Sequence, residues 1–173
     1  RNSNIYINLR MLPSYPEAFN FISDKAAEII SSMEVNVIAG TEAAIPIATA
    51  VALKTGLPMI AVRKPRQYDN RSLVTGVLDR EQKVVLITDI ITNGYNKVRL
   101  IEAIRNEGGI VENLLTVLDK EEGAAESLEQ KGVKLQSLIT LKALLDYMKA
   151  HSMMDDETYS KIIEQQSQEK EYE

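Results

Sequence analysis

Apolar positions follow two rhythms along this chain: short alternating or unbroken β-branched runs, and longer stretches of helical spacing. Ile5, Ile7 and Leu9 alternate with Asn4, Tyr6, Asn8 and Arg10, which predicts a half-buried strand ended by Pro13 and Pro16. A helix is expected from Pro16-Glu17, because Phe19, Ile22, Ala26, Ile29, Ile30 and Met33 recur on one face. Residues 35–39 read as a strand, 40–44 as a turn, and 45–54 as a helix closed by Gly56-Leu57-Pro58. A strand at 59–62 is followed by polar, aperiodic residues 63–76, read as a mobile surface loop. Further along, 110–118 and 135–139 predict strands, and 124–131 and 141–148 predict helices. From His151 a weak helix is expected to fade into a Gln/Glu/Lys-rich end that frays in solvent. Strands alternating with helices imply one α/β domain built on a mostly parallel sheet.

The segment 84–109, VVLITDIITNGYNKVRLIEAIRNEGG, carries the most chemistry. Val84, Val85, Leu86 and Ile87 form a strand covered on both faces, and Asp89 follows at its carboxyl end, where open α/β sheets place ligands. Thr92, Asn93 and Gly94 give small polar groups and a permissive backbone just ahead of a helix with outward-pointing N–H groups. That combination suits a phosphorylated ligand. The plainer alternatives are a carboxylate capping its own turn at Asp89 and a simple tight turn at 92–94.

Composition narrows the setting. A net charge of −5 argues against a generic nucleic-acid surface. The chain has no cysteine, which removes disulfides and thiolate metal sites and fits a cytoplasmic location. No apolar run approaches the roughly 18 residues of a membrane span. An opening on Arg1 rather than methionine points to residues upstream. His151 reads as a surface residue, the tyrosines and methionines as core or edge, and Glu121-Glu122 and Asp155-Asp156 as helix-start acids. Arg63, Lys64, Arg66 and Arg71 read alone are a solvated basic loop.

The order of RNSNIYINLR, LPSYPEAF, IPIATAVALKTGLP, RKP, TDIITNG and LDKEEG…LITLKALL resembles type I phosphoribosyltransferases, and most of all the orotate phosphoribosyltransferase branch. The resemblance runs from Arg1 to Met148. It implies the type I phosphoribosyltransferase fold: a central, mostly parallel sheet flanked by helices, with a small hood from the N- and C-terminal segments. The domain would span residues 1–150, with hood segments at about 1–16 and 119–150, and residues 151–173 would form a C-terminal helix and solvated tail.

The resemblance also implies a reaction. Orotate displaces pyrophosphate from phosphoribosyl pyrophosphate through an oxocarbenium-like transition state, giving orotidine monophosphate. Mg²⁺ is carried by the phosphoribosyl pyrophosphate, and no metal ligand is assigned. Asp89 and Arg66 take the catalytic positions. Arg63, Lys64, Thr88, Asp89, Ile90, Ile91, Thr92, Asn93, Gly94, Tyr95 and Asn96 would hold phosphoribosyl pyrophosphate, while Thr92 and Lys120 would meet orotate. The implied assembly is a homodimer in which the basic loop serves the neighbouring subunit.

Five positions depart from the family pattern. Thr88 replaces the first of two adjacent acids, and Tyr95-Asn96 replace a small residue and a hydroxyl. The 40–44 turn is short and carries Glu42, and the basic loop has no histidine. Lys120 stands where an arginine fork would clasp the orotate carboxylate. These changes sustain a second reading, a weakly active or non-catalytic phosphoribosyl pyrophosphate- or nucleotide-binding regulator with a DNA-binding segment upstream. A structural dimer partner of a true enzyme is a third.

Overall fold

The computed structural model describes residues 6–64 and 72–171. In chain order it contains α1 (Pro16–Ser31), β1 (Val37–Thr41), α2 (Ile45–Thr55), β2 (Met59–Val62), β3 (Val74–Thr75), β4 (Lys83–Ile91), α3 (Tyr95–Asn106), β5 (Ile110–Asp119), α4 (Ala124–Glu129), β6 (Lys134–Thr140), α5 (Leu141–Ala150) and α6 (Asp156–Glu171). The sheet order is β3-β2-β1-β4-β5-β6. All neighbours are parallel except β2 and β3.

Burial explains the apolar runs. Val37–Thr41 is buried throughout, as is Val84–Thr88, because helices cover both faces of the sheet. Helices α1 and α2 pack on one face over Ile38, Val85, Ile87, Leu115 and Val117. On the other face, Leu100, Ile101 and Ile104 of α3 and Leu128 of α4 meet Val37, Ala39, Val84, Leu86 and Leu114. The chain leaves β1 towards β2 and leaves β4 towards β5, in opposite directions along the sheet. The crevice at the carboxyl ends of β1 and β4 is therefore the topological switch point.

Two expected features differ. Residues 6–8 form no strand; Asn8 accepts a hydrogen bond from the Arg10 amide (3.2 Å) and starts a 3₁₀ turn over Leu9–Ser14. Ile7 packs instead with Leu141, Leu145 and Ile162 of α5 and α6. The far end of the supposed 63–76 loop returns as β3, with Ala61 paired to Thr75 and Val62 to Val74. Beyond His151 the expected helix forms as α6 and is packed as far as Gln166. Asp155 accepts from the Thr158 amide at 2.7 Å, which holds its carboxyl below the usual range and starts α6, and Ile162 is buried. Among the described residues, no helix is long and apolar enough to cross a membrane.

Gly40 sets how closely α2 approaches β1. A Cβ there would lie 2.7 Å from the Ala48 Cβ and 3.1 Å from the Met59 Cε. Gly40→Ala is therefore expected to destabilise the fold by about 1–3 kcal/mol through overpacking. Urea unfolding measures it, and an unchanged midpoint would show that α2 shifts freely.

Candidate functional site

The crevice at the switch point is built from the ends of three strands. β4 does not stop at the turn: its pairing with β5 continues through Thr88–Thr116, Ile90–Leu118 and Ile91–Asp119. Thr88 is consequently 0% exposed and cannot reach a ligand as expected. Its hydroxyl lies 3.4 Å from that of Thr41 on β1 and donates to Asp89 Oδ1 at 3.3 Å. Thr116 of β5 donates to the Asp89 carbonyl at 3.3 Å. Two buried hydroxyls thus fix the backbone and carboxylate of Asp89, which stays partly open at the strand end. Ile91 is 1% exposed, so only its main chain is available, while Ile90 is half-buried.

The turn proper is Thr92-Asn93-Gly94. Asn93 Oδ1 accepts from the Tyr95 amide at 3.3 Å, while Gly94 adopts φ +81° and accepts from the Lys97 amide at 2.8 Å. Left-handed geometry suits glycine, and here it turns the chain directly into α3. The Tyr95 ring is 61% exposed and faces outward, so it does not fill the crevice; Thr92 and Asn96 are also exposed.

Lys97, absent from the sequence expectations, is half-buried in the first turn of α3. Burial pushes its ammonium below the ordinary lysine range; the nearby Asp89 carboxylate opposes this and Lys64 reinforces it. One signal was legible. A lysine in the first turn opposes the helix dipole, and such broken local rules concentrate at functional sites. Lys64 is exposed nearby, whereas Arg63 is tied to the returning loop, its Nη2 donating to the Ser72 carbonyl at 3.2 Å. Arg66 lies outside the described residues.

The second half of the site is the segment 119–124, docked directly on the turn. The Lys120 amide donates to the Ile91 carbonyl at 3.0 Å, and a Cβ on Gly94 would sit 3.4 Å from the Ala124 Cα. Lys120 Nζ lies 2.7 Å from Glu122 Oε1, with side chains only 16% and 14% exposed. Glu121 and Glu122 are thus not helix-start acids. Glu121 adopts φ +58° and its amide donates to Asp119 Oδ1 at 2.8 Å, leaving Glu122 free to turn back to Lys120. Gln166 of α6 donates to the Lys120 carbonyl at 2.6 Å. A cavity of about 470 Å³ opens beside this segment, lined by Asp119, Glu121, Glu122 and Glu126. A second, of about 310 Å³, lies between Arg10 and Glu42. Glu42 is exposed there. Among the described residues, no three His, Asp or Glu side chains converge as a metal cluster.

No family model matches the chain. The chain is 35% identical over 159 residues to an orotate phosphoribosyltransferase from Staphylothermus marinus, covering 91% of this chain and 78% of that one. Among solved structures, an orotate phosphoribosyltransferase from Aeropyrum pernix superposes with a TM-score of 0.79 at 30% identity, over 86% of this chain and 85% of that one. The Leishmania donovani UMP synthase superposes at a TM-score of 0.87 and 26% identity; 96% of this chain covers only 36% of that longer one. A Mycobacterium tuberculosis orotate phosphoribosyltransferase in complex with phosphoribosyl pyrophosphate superposes at 0.69 and 28% identity, over 81% and 83% of the two chains. The switch-point crevice and these likenesses agree: the chain belongs to the orotate phosphoribosyltransferase family.

Proposed function

We propose that this protein transfers the phosphoribosyl group of phosphoribosyl pyrophosphate to orotate, giving orotidine monophosphate and pyrophosphate. The observation that carries the reading is Asp89, fixed by Thr88 and Thr116 at the strand end, beside a glycine-led helix N-terminus whose Lys97 feels its charge. The relatives' names and the bound phosphoribosyl pyrophosphate of the M. tuberculosis enzyme support it.

In the reaction the bond from the anomeric carbon to pyrophosphate breaks and a bond to the orotate ring nitrogen forms. The ring N–H proton leaves to solvent or pyrophosphate. Asp89 accepts hydrogen bonds from the ribose hydroxyls, and these strengthen as positive charge develops on the sugar. The main chain of Ile90 and Ile91, Thr92, Asn93 and the amides of Gly94, Tyr95 and Asn96 receive the 5′-phosphate. Lys97 and Lys64 supply cations, with Arg63 and Arg66 at the loop, and Mg²⁺ enters bound to the pyrophosphate as part of the substrate. Lys120 meets the orotate carboxylate, with Thr92 beside the ring. The active form is a cytoplasmic homodimer, and its N- and C-terminal segments hood the base.

A binding-only regulator is the second reading, favoured by one fact: Thr88 leaves a single carboxylate at the strand end, and that hydroxyl is fully buried. Steady-state turnover with orotate, phosphoribosyl pyrophosphate and Mg²⁺ decides between them. Its absence overturns the enzyme reading.

Two variants probe the roles. Asp89→Asn is expected to lower kcat by about 10- to 100-fold, the worth of a charged hydrogen bond formed in the transition state. An unchanged kcat would remove Asp89 from the reaction. Lys97→Met is expected to raise Tm, because it deletes a charge whose burial is unfavourable, and to raise the KM for phosphoribosyl pyrophosphate roughly tenfold. The sign with pH follows from the folded pKa lying below the unfolded one. The protonated lysine costs stability at neutral pH, and that cost vanishes as pH rises past the ordinary lysine value. The Tm gap between variant and wild type should therefore close in alkali; a gap that widens would contradict the assignment.

A further inference from the structure

The Lys120–Glu122 ion pair is held on a backbone with little freedom of its own. On one side the Lys120 amide is bonded to the Ile91 carbonyl at 3.0 Å, and on the other its carbonyl accepts from Gln166 at 2.6 Å. The next residue, Glu121, sits at φ +58°, sparsely populated for a side chain other than glycine, and is pinned by Asp119 Oδ1 and by the Lys142 amide on its Oε2 at 3.3 Å. Of this segment, these bonds hold the backbone and Glu121, not the two side chains of the pair.

Their contact is close but poorly directed. Glu122 Oε1 lies 2.7 Å from the ammonium nitrogen, yet this fully covered oxygen receives no aligned hydrogen bond. The attraction is therefore mainly Coulombic, and the ammonium's N–H donors are not geometrically committed to the oxygen they neutralise. Around the pair the adjacent cavity presents further carboxylates from Asp119, Glu121 and Glu126. That lining is acidic, and the Lys120 ammonium next to it is already paired with Glu122.

We propose that Glu122 is a specificity-determining residue: its carboxylate occupies Lys120 in place of the substrate carboxylate, and an acidic pyrimidine must displace it to bind. This rests on the reading of Lys120 as the orotate contact. The arrangement taxes carboxylated bases and leaves uncharged ones untouched, so it narrows the preference of the site between the two. Glu122 acts through Lys120 and takes no part in the bond exchange at the sugar.

The test is the KM for orotate in the full chain carrying Glu122→Gln, with uracil, the same ring without the carboxylate, as the comparison base. Removing the competing charge should lower the orotate KM about tenfold, while the phosphoribosyl pyrophosphate KM and any uracil KM stay at wild-type values. Glu122→Asp, which keeps the charge, should stay near the wild-type orotate KM. Glu122→Ser provides the same charge removal should the glutamine variant fold poorly, folding being checked by thermal melting. An orotate KM that stays level or rises in the folded neutral variants overturns the proposal and makes Glu122 a support for Lys120. Wild-type protein that turns over no orotate at all overturns the functional reading itself, and this proposal with it.

Discussion

The hydrogen bond from the Lys120 amide to the Ile91 carbonyl joins the two halves of the crevice, and most of the site's geometry depends on it. It extends the β4–β5 ladder by one rung beyond the Ile91–Asp119 pair, so the chain after β5 leaves the sheet against the turn after β4. Gly94, held at φ +81°, then lies in van der Waals contact range of Ala124. The two backbones flanking the crevice are therefore registered to each other by the parallel sheet itself.

That same extension explains where one family departure leads. Carrying the ladder through Ile91 drives Thr88 into the interior, between Thr41 and the Asp89 carboxylate. A carboxylate at position 88 would have to sit where a hydroxyl is completely covered, at a large desolvation cost. A threonine fits, donating inward to orient the one acid that remains. Thr88 thus gives Asp89 a hydrogen-bond donor at 3.3 Å in place of a neighbouring charge.

The sequence carried the architecture because its signals are local. Short apolar runs at 35–39 and 84–87, proline at the start of helices and glycine after them all act within a few residues. Asp89, the 92–94 turn and the docking of a cation-bearing 119–124 segment follow from such signals and from resemblance. What stayed hidden depends on long-range pairing. The contact between Thr41 and Thr88 spans 47 residues, and that between Gln166 and Lys120 spans 46. Neither has a periodicity to reveal it. The same holds for the helix after His151: its polar composition hid the burial of Ile162 and Gln166.

Lys97 and the Lys120–Glu122 pair show two opposite ways of keeping a cation ready for an anion. Lys97 stands at a helix N-terminus, where the dipole opposes it, and half-burial strips it of water. Its charge is underpaired in the resting protein, so a phosphate arriving beside it relieves a strain already present. Lys120 is instead paired in charge, though not in aligned hydrogen bonding, with a carboxylate two residues away. On the proposed reading, the sugar-phosphate half offers a cation that the resting chain leaves underpaired, and the base half one that the chain already pairs.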